Sequence, residues 1–292
     1  MTEEATPSRA AGRLAVRATP PRSKARPQPL EELRPASLWR AKILTLFPAM
    51  WPGPLSYSLI GKALELGIWS CEALDIRASA RDKHRSVDDA PAGGGPGMVL
   101  RADVLAAAID AARADSPDLP VIALTPRGRP VSQARVRSLA EQGGALLICG
   151  RFEGIDERVL EARNVEEICV GDAVLTGGDI PAMALVDATV RLLPGVLGKI
   201  ESTAEESFSA GLLEHPQYTR PVDWEGRLIP EILLSGHHAK VAEWRRAQAE
   251  AATQERRPDL WRAFMDAEGD QSNRTGASRK KAGRAKNQGE TT

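Results

Sequence analysis

Two short apolar runs, Ala145–Cys149 and Ile168–Val170, each stop at a glycine and empty into a loop of glycines and carboxylates. Runs of this length read as buried parallel strands, which carry apolar side chains on both faces. In open α/β sheets ligands bind just outside the carboxyl ends of the strands. The stretch from Gly144 to Asp179 is therefore where a site is expected, although ordinary βα turns would give the same pattern.

The rest of the chain repeats the alternation. Ala41–Phe47 reads as a strand ended by Pro48, Leu55–Leu66 as a helix closed by Gly67, and Ser70–Ile76 as a second strand. Periodicity disappears from Arg77 to Gly97, a long loop whose polar density favours function over disorder. Helical spacing returns over Leu100–Ala114. A strand at Val121–Leu124 is closed by Thr125–Gly128, and Val131–Gln142 is a helix. After Ala145–Cys149 come a helix near Ile155–Arg163, a strand at Val165–Val170 and a helix near Ile180–Leu193. Strand alternating with helix implies α/β architecture with a parallel sheet. Gly195–Gly211 reads as a linker, and Pro230–Phe264 as mainly helical with Val241, Trp244 and Gln248 on one stripe.

Residues 1–38 are rich in proline, alanine and arginine and lack apolar periodicity. They are expected to be a disordered tail, or the product of a start codon placed too early. Residues 266–292 form a basic polar tail, expected to be solvated. Lysine plus arginine equals aspartate plus glutamate, 39 each, so a nucleic-acid partner would be held by local patches and not by net charge. Cys71, Cys149 and Cys169 lack metal-ligand spacing and read as reduced, buried thiols. No apolar run reaches membrane-spanning length, so a soluble, cytoplasmic protein is expected. Neither G-x-G-x-x-G nor G-x-x-x-x-G-K-[ST] is present, which argues against a Rossmann-type methyltransferase and against a nucleotide hydrolase.

Six segments, in order, carry a family resemblance: DKHRSVDD (82–89) with GGGPGM (93–98), GRFEGIDER (150–158), GDAVLTGG (171–178), GVLG (195–198), HPQYTRP (215–221), and LLSGHH (233–238). Together they resemble the bacterial tRNA guanine-N1 methyltransferases that modify guanosine 37, over about Lys42–Phe264. The resemblance implies a parallel α/β sheet with a deep C-terminal trefoil knot, the SPOUT class, plus a small helical domain. The implied boundaries are 39–197 for the knotted domain, 198–217 for a linker and 218–265 for a helical tRNA-binding domain.

By resemblance the cofactor is S-adenosyl-L-methionine, held by Leu124, Pro126, Gly150, Glu153, Val170, Gly171, Asp172, Ala173, Val174, Leu175 and Gly177. Glu153 is the expected neighbour of its methionine end and a candidate contact for magnesium, which the family tends to require. Neutral guanine carries a proton on N1, so methylation there calls for a base near N1 and a cation near O6. The implied base is Glu206, standing where the family usually has aspartate, with Glu205 as the alternative. The implied cation is Arg191. Ala92 replaces an aromatic residue and Ala173 a tyrosine common in the family.

The resemblance further implies a homodimer with a shared site: cofactor and Arg191 from one subunit, linker base and helical domain from the other. Arg81, His84, Arg85, Asp88 and Gly95, with Lys240, Arg245 and Arg246, are the implied tRNA contacts around the anticodon loop. Two competing readings are another knotted methyltransferase acting on ribose or rRNA, and a catalytically dead tRNA-binding homologue.

Overall fold

The computed structural model describes residues 38–197 and 206–267. The described residues all belong to one compact unit. The expectations for the two tails, for Gly198 and for Glu205 lie outside the described residues, apart from 266–267, which continue a helix.

Five strands, β1 (Trp39–Thr45), β2 (Trp69–Asp75), β5 (Val121–Pro130), β6 (Gly144–Ile148) and β7 (Glu166–Cys169), form one parallel sheet in the order β2-β1-β6-β5-β7. Alternating residues supply two cores. Ala41, Ile43, Ile122, Leu147 and Cys149 pack on one face with α1 (Ser58–Glu65), α3 (Gln133–Glu141) and α5 (Asp179–Val190). Leu44, Val121, Ala123, Leu146 and Ile148 pack on the other with α2 (Ala102–Arg113) and α4 (Glu157–Ala162). Such two-sided burial explains why the central strands read as continuous apolar runs.

Close packing fixes details of the sheet. Gly144 has φ +145°, and a Cβ there would run into the backbone of Arg40 on the neighbouring strand. Trp39 donates its indole N–H to the Leu139 carbonyl at 2.9 Å, tying β1 to α3. Lys42 is buried in β1, donating to the Ala112 carbonyl at 2.9 Å and pairing with Asp115. A buried ammonium is tolerated only when paired in this way. The cysteines are all free thiols; burial pushes Cys71 up to about 11 and Cys149 well above its ordinary value, with Asp179 adding to the latter.

Two segments depart from the sequence expectation. Val121–Leu124 is not closed at Gly128: β5 resumes, and Leu124 and Arg129 both stand opposite Ile168, with the intervening residues looped out. Gly128 makes this possible, since its added Cβ would lie 2.5 Å from the Ile168 backbone. The long polar loop contains a short ladder, β3 (Asp88–Asp89) against β4 (Val99–Leu100).

Beyond the linker come the hairpin β8 (Asp223–Trp224) and β9 (Arg227–Leu228), then α6 (Glu231–Leu234), α7 (His238–Arg256) and a last helix at 258–267. Leu213 donates its backbone N–H to Thr253 Oγ1 at 2.8 Å, so the segment entering this region is pinned to α7. Among the described residues no helix is long and apolar enough to cross a membrane.

Candidate active site

Strands β6, β5 and β7 are neighbours, so the loops leaving their carboxyl ends meet. Between them lies a cleft of about 580 Å³, within the size range of small-molecule sites. The looped-out part of β5 contributes Leu124 and Pro126. The loop after β6 contributes Gly150 and Glu153, and that after β7 contributes Val170, Gly171, Ala173, Val174, Leu175 and Gly177. Of the expected cofactor contacts, only Asp172 does not line the cleft; its side chain is exposed on the β7 loop.

The lining suits a nucleoside thioether or sulfonium. Leu124, Ile155, Ile168 and Val170 supply apolar walls to the cleft, while backbone at the glycines offers hydrogen-bonding edges. A Cβ at Gly171 would meet nothing within 4 Å, so the backbone there borders open space. At Gly178 it would meet the Cys149 Cα at 2.8 Å and the Gly150 nitrogen at 2.9 Å: here two of the loops touch backbone to backbone. Glu153 accepts a neighbour from the polar loop, donating its own N–H to the Met98 carbonyl at 2.9 Å. Among the described residues no group of three His, Cys, Asp or Glu could hold a metal ion.

A buried carboxylate that sequence reading passed over locks the loops together. Asp179, at the first turn of α5, accepts from Thr45 Oγ1 at 2.6 Å, from the Trp51 indole at 3.0 Å and from Arg151 Nη2 at 2.7 Å. It is wholly buried, and a helix N-terminus is a favourable place for a negative charge. Arg151 lies on the cleft wall with its guanidinium 4.5 Å from the centre of the Phe47 ring. At the cleft mouth Arg127 bridges Glu157 at 2.8 Å and Glu167 at 3.1 Å. Arg151 and Glu157 fall within the segment 150–158, whereas Asp179 lies just past 171–178 and carried no signal of its own.

The expected catalytic pair is already joined. Arg191 donates to Glu206 from both terminal nitrogens, at 2.8 and 2.7 Å, a bidentate geometry that is strong and directional. This contact holds the Glu206 carboxyl below its ordinary value, and Arg137 adds to the effect. Arg137 also donates to Ser209 at 3.0 Å, so this end of the linker is fastened to α3 and α5. Arg191 follows directly on α5, whose first residues border the cleft. A helix of 12 residues spans about 18 Å, so Arg191 stands at the end of α5 opposite the residues that border the cleft.

The expected RNA contacts fall into two groups. Arg81, His84, Arg85 and Gly95 are exposed and Asp88 half-buried on the polar loop, which runs into the Glu153 side of the cleft. Lys240 and Arg245 are exposed on α7.

Comparison with known proteins gives the family. The family model tRNA (Guanine-1)-methyltransferase TrmD matches residues 39–263. A tRNA (guanine-N(1)-)-methyltransferase of Rhodopseudomonas palustris (strain HaA2) is 68% identical over 225 residues, covering 77% of this chain and 89% of the relative. Relatives of the same name from Nitrobacter hamburgensis and Cereibacter sphaeroides (strain KD131) are 63% and 61% identical, covering 82% and 79% of this chain and 100% and 94% of their own. With its cleft at the strand ends and its paired arginine and carboxylate, the chain belongs to the tRNA (Guanine-1)-methyltransferase TrmD family of enzymes.

Proposed function

We propose that the enzyme transfers a methyl group from S-adenosyl-L-methionine to N1 of guanosine 37, 3′ to the tRNA anticodon, as a cytoplasmic homodimer with composite active sites. The observation that carries the reading is the Arg191–Glu206 pair. The Watson–Crick edge of guanine offers an acceptor at O6 beside a donor at N1. It can insert between a guanidinium and a carboxylate, taking a hydrogen bond from the first and giving one to the second.

When bound in the cleft, S-adenosyl-L-methionine supplies an electrophilic methyl group on a sulfonium and departs as a neutral thioether. Glu206 takes the N1 proton as the N1–methyl bond forms, and Arg191 stabilises the negative charge that would otherwise collect on O6. Base assistance is worth roughly 10²–10⁴ in rate, and a fixed donor at the oxygen on the order of 10²–10³. While Arg191 holds Glu206, the carboxylate is a poor base, because its pKa is depressed. Once O6 takes the guanidinium's donors, that depression is relieved and the base becomes competent with its substrate in place.

Two copies are required on this reading. Arg191, held to Glu206, stands at the end of α5 opposite the residues that border the cleft of the same chain. A second copy would bring its pair to the first copy's methyl donor, so arginine and base come from one subunit and the cofactor loops from the other. The exposed apolar side chains Val174, Leu175 and Ile180 along the β7 loop and the start of α5 are suited to meeting that copy. The parallel α/β sheet is what the SPOUT class, with its trefoil knot, would have. Residues 218–265 serve as the tRNA-binding domain, with Lys240 and Arg245 facing phosphates and the Arg81–Gly95 loop guiding the anticodon arm.

The test is transfer of a labelled methyl group to unmodified tRNA transcripts carrying guanosine or adenosine at position 37. Wild type should label only the guanosine transcript, and Glu206→Ala neither. Labelling of both transcripts, or undiminished turnover by Glu206→Ala, would overturn the assignment.

A further inference from the structure

A second cavity, of about 190 Å³, lies in the C-terminal region, built by other elements than the cofactor cleft. The strap 215–218 forms one wall and α7 the other, with Ile229 and Leu233 on the apolar side. The Tyr218 and Trp244 rings meet here, centroids 6.2 Å apart and planes at 59°. A planar guest lying on one ring therefore meets the edge of the other, a favourable aromatic arrangement. His215 and Gln217, whose side chains approach to 3.2 Å, supply donors and acceptors at the rim. The one charged residue in the described lining is a cation, Arg245; no carboxylate lines the cavity.

We propose that this cavity receives one unpaired nucleobase of the tRNA, distinct from the base that is methylated; the inference rests on the tRNA reading above. The dimensions suit a single heteroaromatic ring system and not a helix or strand. A nucleobase uses all three features at once: its face stacks on an aromatic ring, its edge bonds with the amide and imidazole, and its phosphate stands near a cation. An aliphatic protein side chain would leave the polar rim unused. The strap is held in place before any ligand arrives, because Leu213 bonds to Thr253 at 2.8 Å and Glu214 to Ser207 at 3.0 Å. Little ordering would be lost on binding. The cavity thereby adds a grip on the RNA that does not depend on salt in the way phosphate contacts do.

The test uses full-length protein and a set of tRNA transcripts, each with one abasic nucleotide at an unpaired position. Tyr218 is about half exposed, so Tyr218→Ala should fold, and Gln217→Ala on the exposed strap is a second variant. Tyr218→Ala is expected to weaken binding of the intact transcript roughly ten- to a hundred-fold, the scale of one stacked base. One abasic transcript should lose a similar factor with wild type and lose nothing further with the variant. 2-Aminopurine at that position should be quenched by wild type and not by Tyr218→Ala. Equal losses for wild type and both variants at every abasic position would overturn the proposal, as would wild-type affinity of Tyr218→Ala, which would point to a protein occupant. Failure of wild type to bind or methylate any transcript would overturn the tRNA reading and this proposal together.

Discussion

Arg191 and Glu206 form a two-pronged contact, Nη1 to Oε2 at 2.8 Å and Nη2 to Oε1 at 2.7 Å, across only 15 residues of sequence. Each partner keeps about 30% of its side chain accessible, so the contact can be opened from solvent. That combination differs from a structural pair such as Lys42 with Asp115, whose lysine is almost wholly covered while its aspartate is exposed. Glu206 stands two residues before a turn at Phe208, which has φ +70°.

Removing either member should lower turnover with little effect on tRNA affinity. Glu206→Gln is expected to cost about 10²–10⁴ in kcat and Arg191→Ala about 10²–10³. Single-turnover methyl transfer alongside filter binding separates the two quantities.

The acid limb of the rate profile should move when the arginine is removed. Glu206 must be ionised to accept a proton, and Arg191 is the main reason its pKa is lowered in the free protein. In Arg191→Ala the carboxyl returns toward its ordinary value, so the fall of kcat/KM on the acid side shifts to higher pH. The same linkage fixes the stability sign: a depressed carboxyl stabilises the fold above its unfolded pKa, and this is lost as pH falls through the folded value. A pH series of kcat/KM on both proteins checks the shift.

Asp179→Ala should be strongly destabilising, by about 3 kcal/mol or more. It would strand the Arg151 guanidinium on the cleft wall and remove the acceptor for Thr45 and Trp51. Urea unfolding should show this, and cofactor affinity, measured calorimetrically, should fall as well.

Two glycines in one loop should respond differently. Gly178→Ala forces a Cβ against the Cys149 and Gly150 backbone and should open or unfold the cleft. Gly171→Ala meets open space, so the fold should tolerate it and any loss should appear only in cofactor binding. Melting curves with and without S-adenosyl-L-methionine distinguish the cases.

If each site draws on two copies, a chain with a spoiled cleft and a chain with a spoiled pair should rescue one another. Gly178→Ala and Glu206→Ala, each inactive alone, should regain methyl transfer when co-purified as a mixed dimer. No activity in a verified mixed dimer would show that one chain houses the whole site.

Much of this was legible from residue pattern because parallel strands advertise themselves. Ala145–Cys149 and Ile168–Val170 had to be strands once both faces were covered, and their glycine exits had to be loops. Ten of the eleven expected cofactor residues line one cleft, against one exposed exception, Asp172. The resumption of β5 after Gly128 escaped notice because its second half, Arg129–Pro130, is polar and carries a proline; only long-range pairing with Ile168 and Cys169 makes it a strand. Asp179 was equally hidden, since its partners Thr45, Trp51 and Arg151 are distant in sequence. The expected grouping of Arg191 with the cofactor came from the family resemblance; along the chain, α5 stands between Arg191 and the residues that border the cleft.

α5 thus behaves as a spacer with a rotational phase as well as a length. Each residue turns the helix by about 100°, so inserting or deleting one between Pro181 and Val190 would swing Arg191 around the axis while advancing it by only about 1.5 Å. Glu206 would then face a methylene stem in place of the guanidinium fork. Away from Asp179, this mainly apolar helix is therefore compatible with side-chain variation but not with any change in its number of residues.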